Sequence, residues 1–269
     1  MDIQLLLLLV CEAGKVEEVK QLLDDPAINP NCQDSFGQTP LYNACLNGHI
    51  EVVKLLLNDK RVDIDIQECN GISPFFIACH HSKIEIVELF LNDGRVDVNE
   101  TNKYEQPVFY VACQNGKIEI VKLLLNNERV NINKENKNGR TPFYIACSNG
   151  HIEVVKLLLN DQRIDIIGTN ENGETPFYIA CQCGHIEIVK LLLASTREVN
   201  VNMKNKEGRT AMDTANRGSA QEEKFWYEQE DQFQRKKKNC KEIVELLESF
   251  ERDPNLTRMK LQHGFAGNY

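Results

Sequence analysis

The chain has no surplus of positive charge, few aromatic residues and a single tryptophan. With 31 Lys and Arg against 40 Asp and Glu, the formal net charge is −9. That is the wrong sign for a protein that neutralises phosphates with clustered cations, so nucleic acid is not the expected partner. The apolar run Leu5–Val10 is far too short to span a bilayer, and no membrane association is expected. No positive segment precedes that run and no small-residue cleavage site follows, so it does not read as an export signal. The ten cysteines are therefore expected as reduced thiols in cytoplasm or nucleus, not as a disulfide framework. Also missing are a glycine-rich phosphate loop, a His-Glu-x-x-His helix and a nucleophile elbow. Apolar residues are 42% and charged residues 26% of the chain, enough apolar material for a core and too much for a disordered segment.

What is present is a repeat. The pair Ala44-Cys45 returns as Ala78-Cys79, Ala112-Cys113, Ala146-Cys147 and Ala180-Cys181, always 34 residues on. One step back lies Val10-Cys11, and a step of 35 forward reaches Ala215-Asn216, so about seven units are expected, degenerate at both ends. The clearest unit starts at Asn138-Gly139, residues suited to a tight hairpin turn. Thr141 then reads as an N-cap and Pro142 as the first helical residue, where its missing N–H costs nothing. A short helix follows to Cys147, with small Ala146 permitting close helix approach and Asn149-Gly150 ending it. A second helix from Ile152 to Leu159 places Ile152, Val155, Leu158 and Leu159 on one buried stripe. A short β-like stretch such as Val130–Asn133 leads into the next hairpin.

The run Thr141-Pro142-Phe143-Tyr144-Ile145-Ala146-Cys147, followed by Gly150-His151-Ile152-Glu153, resembles the ankyrin repeat with its Thr-Pro-Leu-His-x-Ala signature. The resemblance covers residues 1 to about 216 and resumes at 239–248. It implies an all-α solenoid of helix-turn-helix units with β-hairpin loops and capping end repeats, over residues 1–252. Tetratricopeptide repeats share the period, but their Pro follows the second helix. Here Pro40, Pro74, Pro142 and Pro176 open the first. Where the family has His, this chain has Tyr42, Phe76, Tyr110, Tyr144 and Tyr178. Tyrosine hydroxyls or ring packing are expected to replace its bonds to neighbouring loops. The period also exceeds the family's usual ~33 residues, the extra residue falling in segments such as Asn58–Val62. Two positions break the pattern: Glu105 stands where the hairpin Gly belongs, predicting a remodelled turn, and Ser82 replaces a helix-ending Gly.

Cys45, Cys79, Cys113, Cys147 and Cys181 recur beside the core Ala and read as small buried hydrophobes. His49, His151 and His185 open second helices, a structural use in the family. Cys79-His80-His81 and Cys181-Gln182-Cys183 with His185 would be the basis of the alternative function, a metal-dependent regulator or an enzyme. Neither offers the second ligand pair that zinc needs, so no metal, cofactor or catalytic residue is assigned. Asp97-Val98-Asn99 resembles an acceptor for asparagine hydroxylation, with Asn133 in the equivalent place, but an Asn here is expected to stabilise the link by side-chain hydrogen bonds.

Near the C-terminus the pattern is interrupted by residues 219–238, rich in Glu, Gln and Lys and free of Pro and Gly. This composition predicts a helix lengthening the last repeat, with Phe225, Trp226 and Phe233 on its apolar side. Trp226 then either shields the end of the stack or serves as a handle for a second partner. The basic run Arg235–Lys238 reads as a solvated helix end or a weak nuclear-localisation patch. Residues 253–269 read as a loosely held polar tail.

The resemblance implies a scaffold or adaptor, expected as a monomer, that presents hairpin tips and first-helix ends in a concave groove to another protein. Mapped onto this chain, that face comprises Phe36, Asn43, Leu46, Asn47, Ile72, His80, His81, Tyr104, Gln114, Asn115, Arg140, Ser148, Asn149, Gln182 and Cys183. Phe36, Ile72 and Tyr104 are expected to be its exposed anchors.

Overall fold

A computed structural model describes residues 2–221 and 229–266. They fall into two compact units, Met1–Ala112 with Lys117–Ile132, and Cys113–Gly116 with Asn133–Tyr269. Both are stacks of helix pairs. No strand occurs among the described residues; a single isolated bridge joins Thr101 to Pro107. The β-like stretches are thus links of turns and bends, whose alternation survives as buried Val62 and Ile64, Val96 and Val98, or Val130 and Ile132.

In the first unit the leading helices α1 (Ile3–Glu12), α3 (Pro40–Asn47) and α5 (Pro74–His80) pack side by side. Behind them lie the second helices α2 (Val16–Leu23), α4 (Ile50–Asn58), α6 (Ile84–Asn92) and α8 (Ile118–Leu125). Helix α7 (Val108–Gln114) precedes α8 in the chain. The core forms between the two rows. Ala44 and Ala78 lie fully buried where leading helices meet, and Leu56, Phe90 and Leu124 close the other side at 0% exposure.

The second unit repeats the scheme. Leading helices α9 (Pro142–Asn149), α11 (Pro176–Cys183) and α13 (Ala211–Ala220) pack in sequence, as do α10 (Ile152–Leu159) and α12 (Ile186–Ala194). The local signals act as expected. Thr39, Ser73, Thr141 and Thr175 each accept the backbone N–H three residues on, at 3.0–3.1 Å, with Pro in the first turn. Such caps are each worth ~1 kcal/mol. Thr210 and Asp213 add a capping box.

The C-terminal segments differ from the sequence expectation. Helix α13 ends at Ala220, Gln221 and Gln229 are extended, and α14 runs unbroken from Glu230 to Arg252. There is no single helix through 219–238; instead the second half of the insertion fuses with the last repeat's second helix. Phe233 is buried, whereas Phe225 and Trp226 lie outside the described residues. Arg235–Lys238 therefore sits inside a helix, not at its end. Nor is the tail loose. Helix α15 (Pro254–Ala266) packs on α12 and α14, with Arg258 Nε and Gln262 Nε2 donating to the Leu193 and Ala194 carbonyls at 3.2 and 2.8 Å. Those carbonyls end α12 and need partners.

Candidate functional site

The hairpin turns present the most exposed apolar side chains of the leading-helix face, and one side chain organises each turn. Asp34, Glu68, Asn102, Asn136, Asn170 and Asn205 each use one oxygen to accept the backbone N–H groups two and four residues on. Neighbouring turns are stitched by Cys69 N–H to Phe36 O at 3.0 Å, Lys103 N–H to Asn70 O at 3.0 Å, Glu171 N–H to Asn138 O at 3.1 Å and Lys206 N–H to Asn172 O at 2.8 Å. The tips are thus held in register before any ligand arrives. The turn containing Glu105 is not remodelled: Asn102 holds it in the common form, and Glu105 takes φ +57°. Ser82 likewise takes φ +56° where other units have Gly.

In the first unit Phe36 and Tyr104 stand out from two such tips at 64% and 51% exposure, as expected. Lys103 Nζ lies 5.2 Å from the centroid of the Tyr104 ring. Asn47, His80 and His81 are exposed and Leu46 is half-buried. Partial burial, with Lys117 nearby, holds both imidazoles below the ordinary histidine range; for His81, His80 and Lys83 also contribute. Two residues of the expected face belong elsewhere. Asn43 is buried, at the helix position that Ile77, Val111, Ile145 and Ile179 fill elsewhere with apolar side chains. Ile72 is half-buried because it forms the base of its hairpin, where its carbonyl accepts from Glu68 N–H at 3.0 Å.

In the second unit Asn115, Asn149 and Gln182 are exposed, while Gln114, Arg140, Ser148 and Cys183 are half-buried. Asn149 Nδ2 and His151 Nε2 donate to the Gln114 carbonyl at 2.8 and 2.7 Å, and His185 Nε2 donates to the Ser148 carbonyl at 2.9 Å. His49 does the same to Glu12 in the first unit at 2.8 Å. These histidines therefore link helix ends. The hydroxyls of Tyr144 and Tyr178 bond to the neighbouring hairpin loops, as expected. Asn170 Nδ2 donates to Tyr144 Oη at 3.1 Å, Tyr144 Oη–H to Glu174 at 3.2 Å, and Asn205 Nδ2 to Tyr178 Oη at 3.2 Å.

The periodic cysteines are buried, and burial pushes their thiols well up, away from the reactive thiolate. Among the described residues no three His, Cys, Asp or Glu side chains are gathered as metal ligands. No described helix is long and apolar enough to cross a membrane.

Sequence reading missed what the segment with the extra residue holds, an arginine clamp. Arg61, Arg95 and Arg129 donate back to the Leu23, Leu57 and Leu91 carbonyls at 2.7, 2.8 and 3.0 Å. Arg197 reaches the Asp161 and Ile164 carbonyls at 3.2 and 2.5 Å. Asp59 and Asp93 grip the guanidinium two residues on, at 2.6 and 2.7 Å. The Arg recurs at Arg61, Arg95, Arg129, Arg163 and Arg197, so the signal was present. An asparagine ladder runs beside it: Asn31, Asn99 and Asn133 donate to the Arg61, Arg129 and Arg163 carbonyls at 2.7–2.8 Å. The same side chains accept from the N–H of Asp63, Asn131 and Asp165.

Comparison with known proteins agrees with this architecture. The description "Ankyrin repeats (3 copies)" matches residues 6–102 and 84–170, and "Ankyrin repeats (many copies)" matches 159–215. The human ASB11 ankyrin repeat domain superposes with TM-score 0.64 at 25% identity, covering 77% of this chain and 90% of its own. The ankyrin repeat domain of Bcl-3, described as a unique member of the IkappaB protein family, gives TM-score 0.71 at 23% identity over 77% and 92%. No curated protein sequence matches the chain.

Proposed function

Because the chain belongs to the ankyrin-repeat family, whose repeats generally mediate protein–protein contacts, we propose that it is a scaffold or regulatory binding protein. It engages its partner through the hairpin tips and the adjoining ends of the leading helices. One observation carries the reading: Phe36 and Tyr104, at 64% and 51% exposure, project from turns whose backbones are already fixed. Large exposed side chains on a rigid frame are the usual anchors of an interface, since little ordering entropy is lost on binding. Family members are typically non-enzymatic binding domains. The protein acts as a monomer in the cytoplasm or nucleus, with its thiols reduced.

The test is parallel affinity purification of the intact protein and a Phe36→Ala/Tyr104→Ala variant. Partner recovery is expected to fall on the order of tenfold or more at an unchanged melting temperature, and chelator should alter neither. Equal recovery by both proteins would exclude the tips as the binding face.

A further inference from the structure

The stretches 40–49, 74–83 and 108–117 hold three successive leading helices and the turns after them, and contain no Asp, Glu or Arg. Most leading helices also end on neutral residues: Leu46-Asn47 in α3, Ser148-Asn149 in α9 and Gln182-Cys183 in α11. Helix α5 instead ends at His80-His81, both exposed, with ring centroids 5.0 Å apart. The helix dipole does not account for the pair, since the other helix ends do without a cation. A second departure lies beside it. His49, His151 and His185 precede their second helices and bond a carbonyl 37 residues back. At that position α6 and α8 are preceded by Lys83 and Lys117, both half-buried. Neither lysine makes a side-chain hydrogen bond or ion pair with a described residue.

The two imidazoles therefore sit in a field of one sign. Helix α3, packed on α5, carries no charge and has only His49 beyond its end. Helix α6, also packed on α5, brings Lys83, with Glu85 and Glu88 exposed further along it. Helix α8 brings Lys117, and its Glu119 is paired with Lys122 at 2.8 Å. The charge acting on His80 is Lys117, and those acting on His81 are His80, Lys83 and Lys117. Partial burial and these cations all favour neutral rings, so near pH 7 the patch holds two ammonium groups and two uncharged imidazoles. A carboxylate brought by a partner reverses that balance: it offsets the lysines and favours the imidazolium form, with which it makes charge-assisted hydrogen bonds. Such binding takes up protons and tightens as pH falls, while Asp and Glu stay ionised to about pH 5. Nucleic acid suits the patch less, because it needs cations spread along its length. These four gather at one helix end and two adjoining helix starts, in a chain of net charge −9.

From this we infer that His80, His81, Lys83 and Lys117 form a docking point for an acidic segment of the protein partner, gripped more tightly as pH falls. The inference rests on the protein-binding reading above and adds the partner's chemistry and a dependence on pH.

The test is selection of random dodecapeptides displayed on phage against the full-length protein at pH 6, followed by calorimetry with the recovered peptides at pH 5.5 and 7.5. The selected sequences should be enriched in Asp or Glu and bind about tenfold more tightly at the lower pH. The His80→Gln/His81→Gln protein should lose that pH dependence, and the Lys83→Gln/Lys117→Gln protein should bind about tenfold more weakly at both pH values. Both variants keep Glu100, so any effect of its titration is common to all the proteins compared. A Lys241→Gln/Lys260→Gln variant, which removes the same charge elsewhere, should bind as the unaltered protein does. Peptides with no excess of acid, a pH dependence that survives in the His80→Gln/His81→Gln protein, or failure to recover any peptide would overturn the inference. So would inorganic phosphate or a short DNA oligonucleotide displacing the peptide at equal concentration. Peptides that lose affinity only for the Phe36→Ala/Tyr104→Ala protein would overturn this docking point and leave the protein-binding reading intact.

Discussion

Glu105 and Ser82 show how a repeat tolerates the wrong residue. Each occupies a left-handed conformation, at φ +57° and +56°, that Gly occupies in other units. The turn or helix end is imposed by its hydrogen bonds, so the side chain bears the steric cost. Glu105→Gly should therefore raise stability by about 1 kcal/mol, read as a higher denaturant midpoint. A fall would show that the Glu105 side chain contributes more than its backbone costs. Glu100 is the other unusual residue. It is buried against the α5 N-cap, accepts the Ser73 hydroxyl, and has its carboxyl pushed from the ordinary 4.5 to about 7, chiefly by burial, with Asp65 and Asp97 adding to the shift. A carboxyl raised in the folded state binds its proton more tightly there than in the unfolded chain. Its contribution to stability is thus greatest below the ordinary value and declines as pH rises from about 4.5 to about 7. Glu100→Gln should flatten that decline and stabilise the protein at pH 8, by on the order of 2–3 kcal/mol. Urea titrations at pH 5 and pH 8 check this, and an unchanged pH slope would exclude Glu100 as its source.

Between elements, the links that set register are side chain to backbone. The clamp arginines and ladder asparagines reach the carbonyls and N–H groups left between the second helix of one unit and the hairpin of the next. Asn99→Ala breaks two such bonds, donated to Arg129 O and accepted from Asn131 N, and should cost about 1–3 kcal/mol. Asp65 occupies the same position in another unit. Its carboxylate accepts the Asp97 N–H but as an anion has no proton to donate, and burial pushes it up. Asp65→Asn should restore the missing donor and raise the melting temperature, whereas a lowered one would show that Asp65 is held by its negative charge. The ladder also gives Asn99 and Asn133 a structural role. Much at this scale was legible: the Thr-Pro openings, the paired helices and the buried Ala-Cys positions all follow from short-range pattern. The arginine clamp was also written in the sequence, but its meaning was not, because its acceptors lie 38 residues back at Leu23, Leu57 and Leu91.

At the scale of the whole molecule, division into two compact units predicts unfolding in more than one step, since each repeat rests chiefly on its neighbours. Leu124 and Leu158 are both fully buried, one in each unit. Replacing either by Ala should cost ~2–5 kcal/mol, with Leu124→Ala and Leu158→Ala displacing different transitions in calorimetry. A single transition moved equally by both would show that the two units unfold together. The sequence by itself determined the family, the order of helices and the exposure of Phe36 and Tyr104 at hairpin tips, because an ankyrin unit is specified by signals within one period. Only the tertiary structure decided that Asn43 is core and that α15 docks on α12 and α14. Each of those outcomes depends on which surfaces remain uncovered after neighbouring elements have packed, and contacts between elements far apart in sequence leave no periodic trace in the residues that make them.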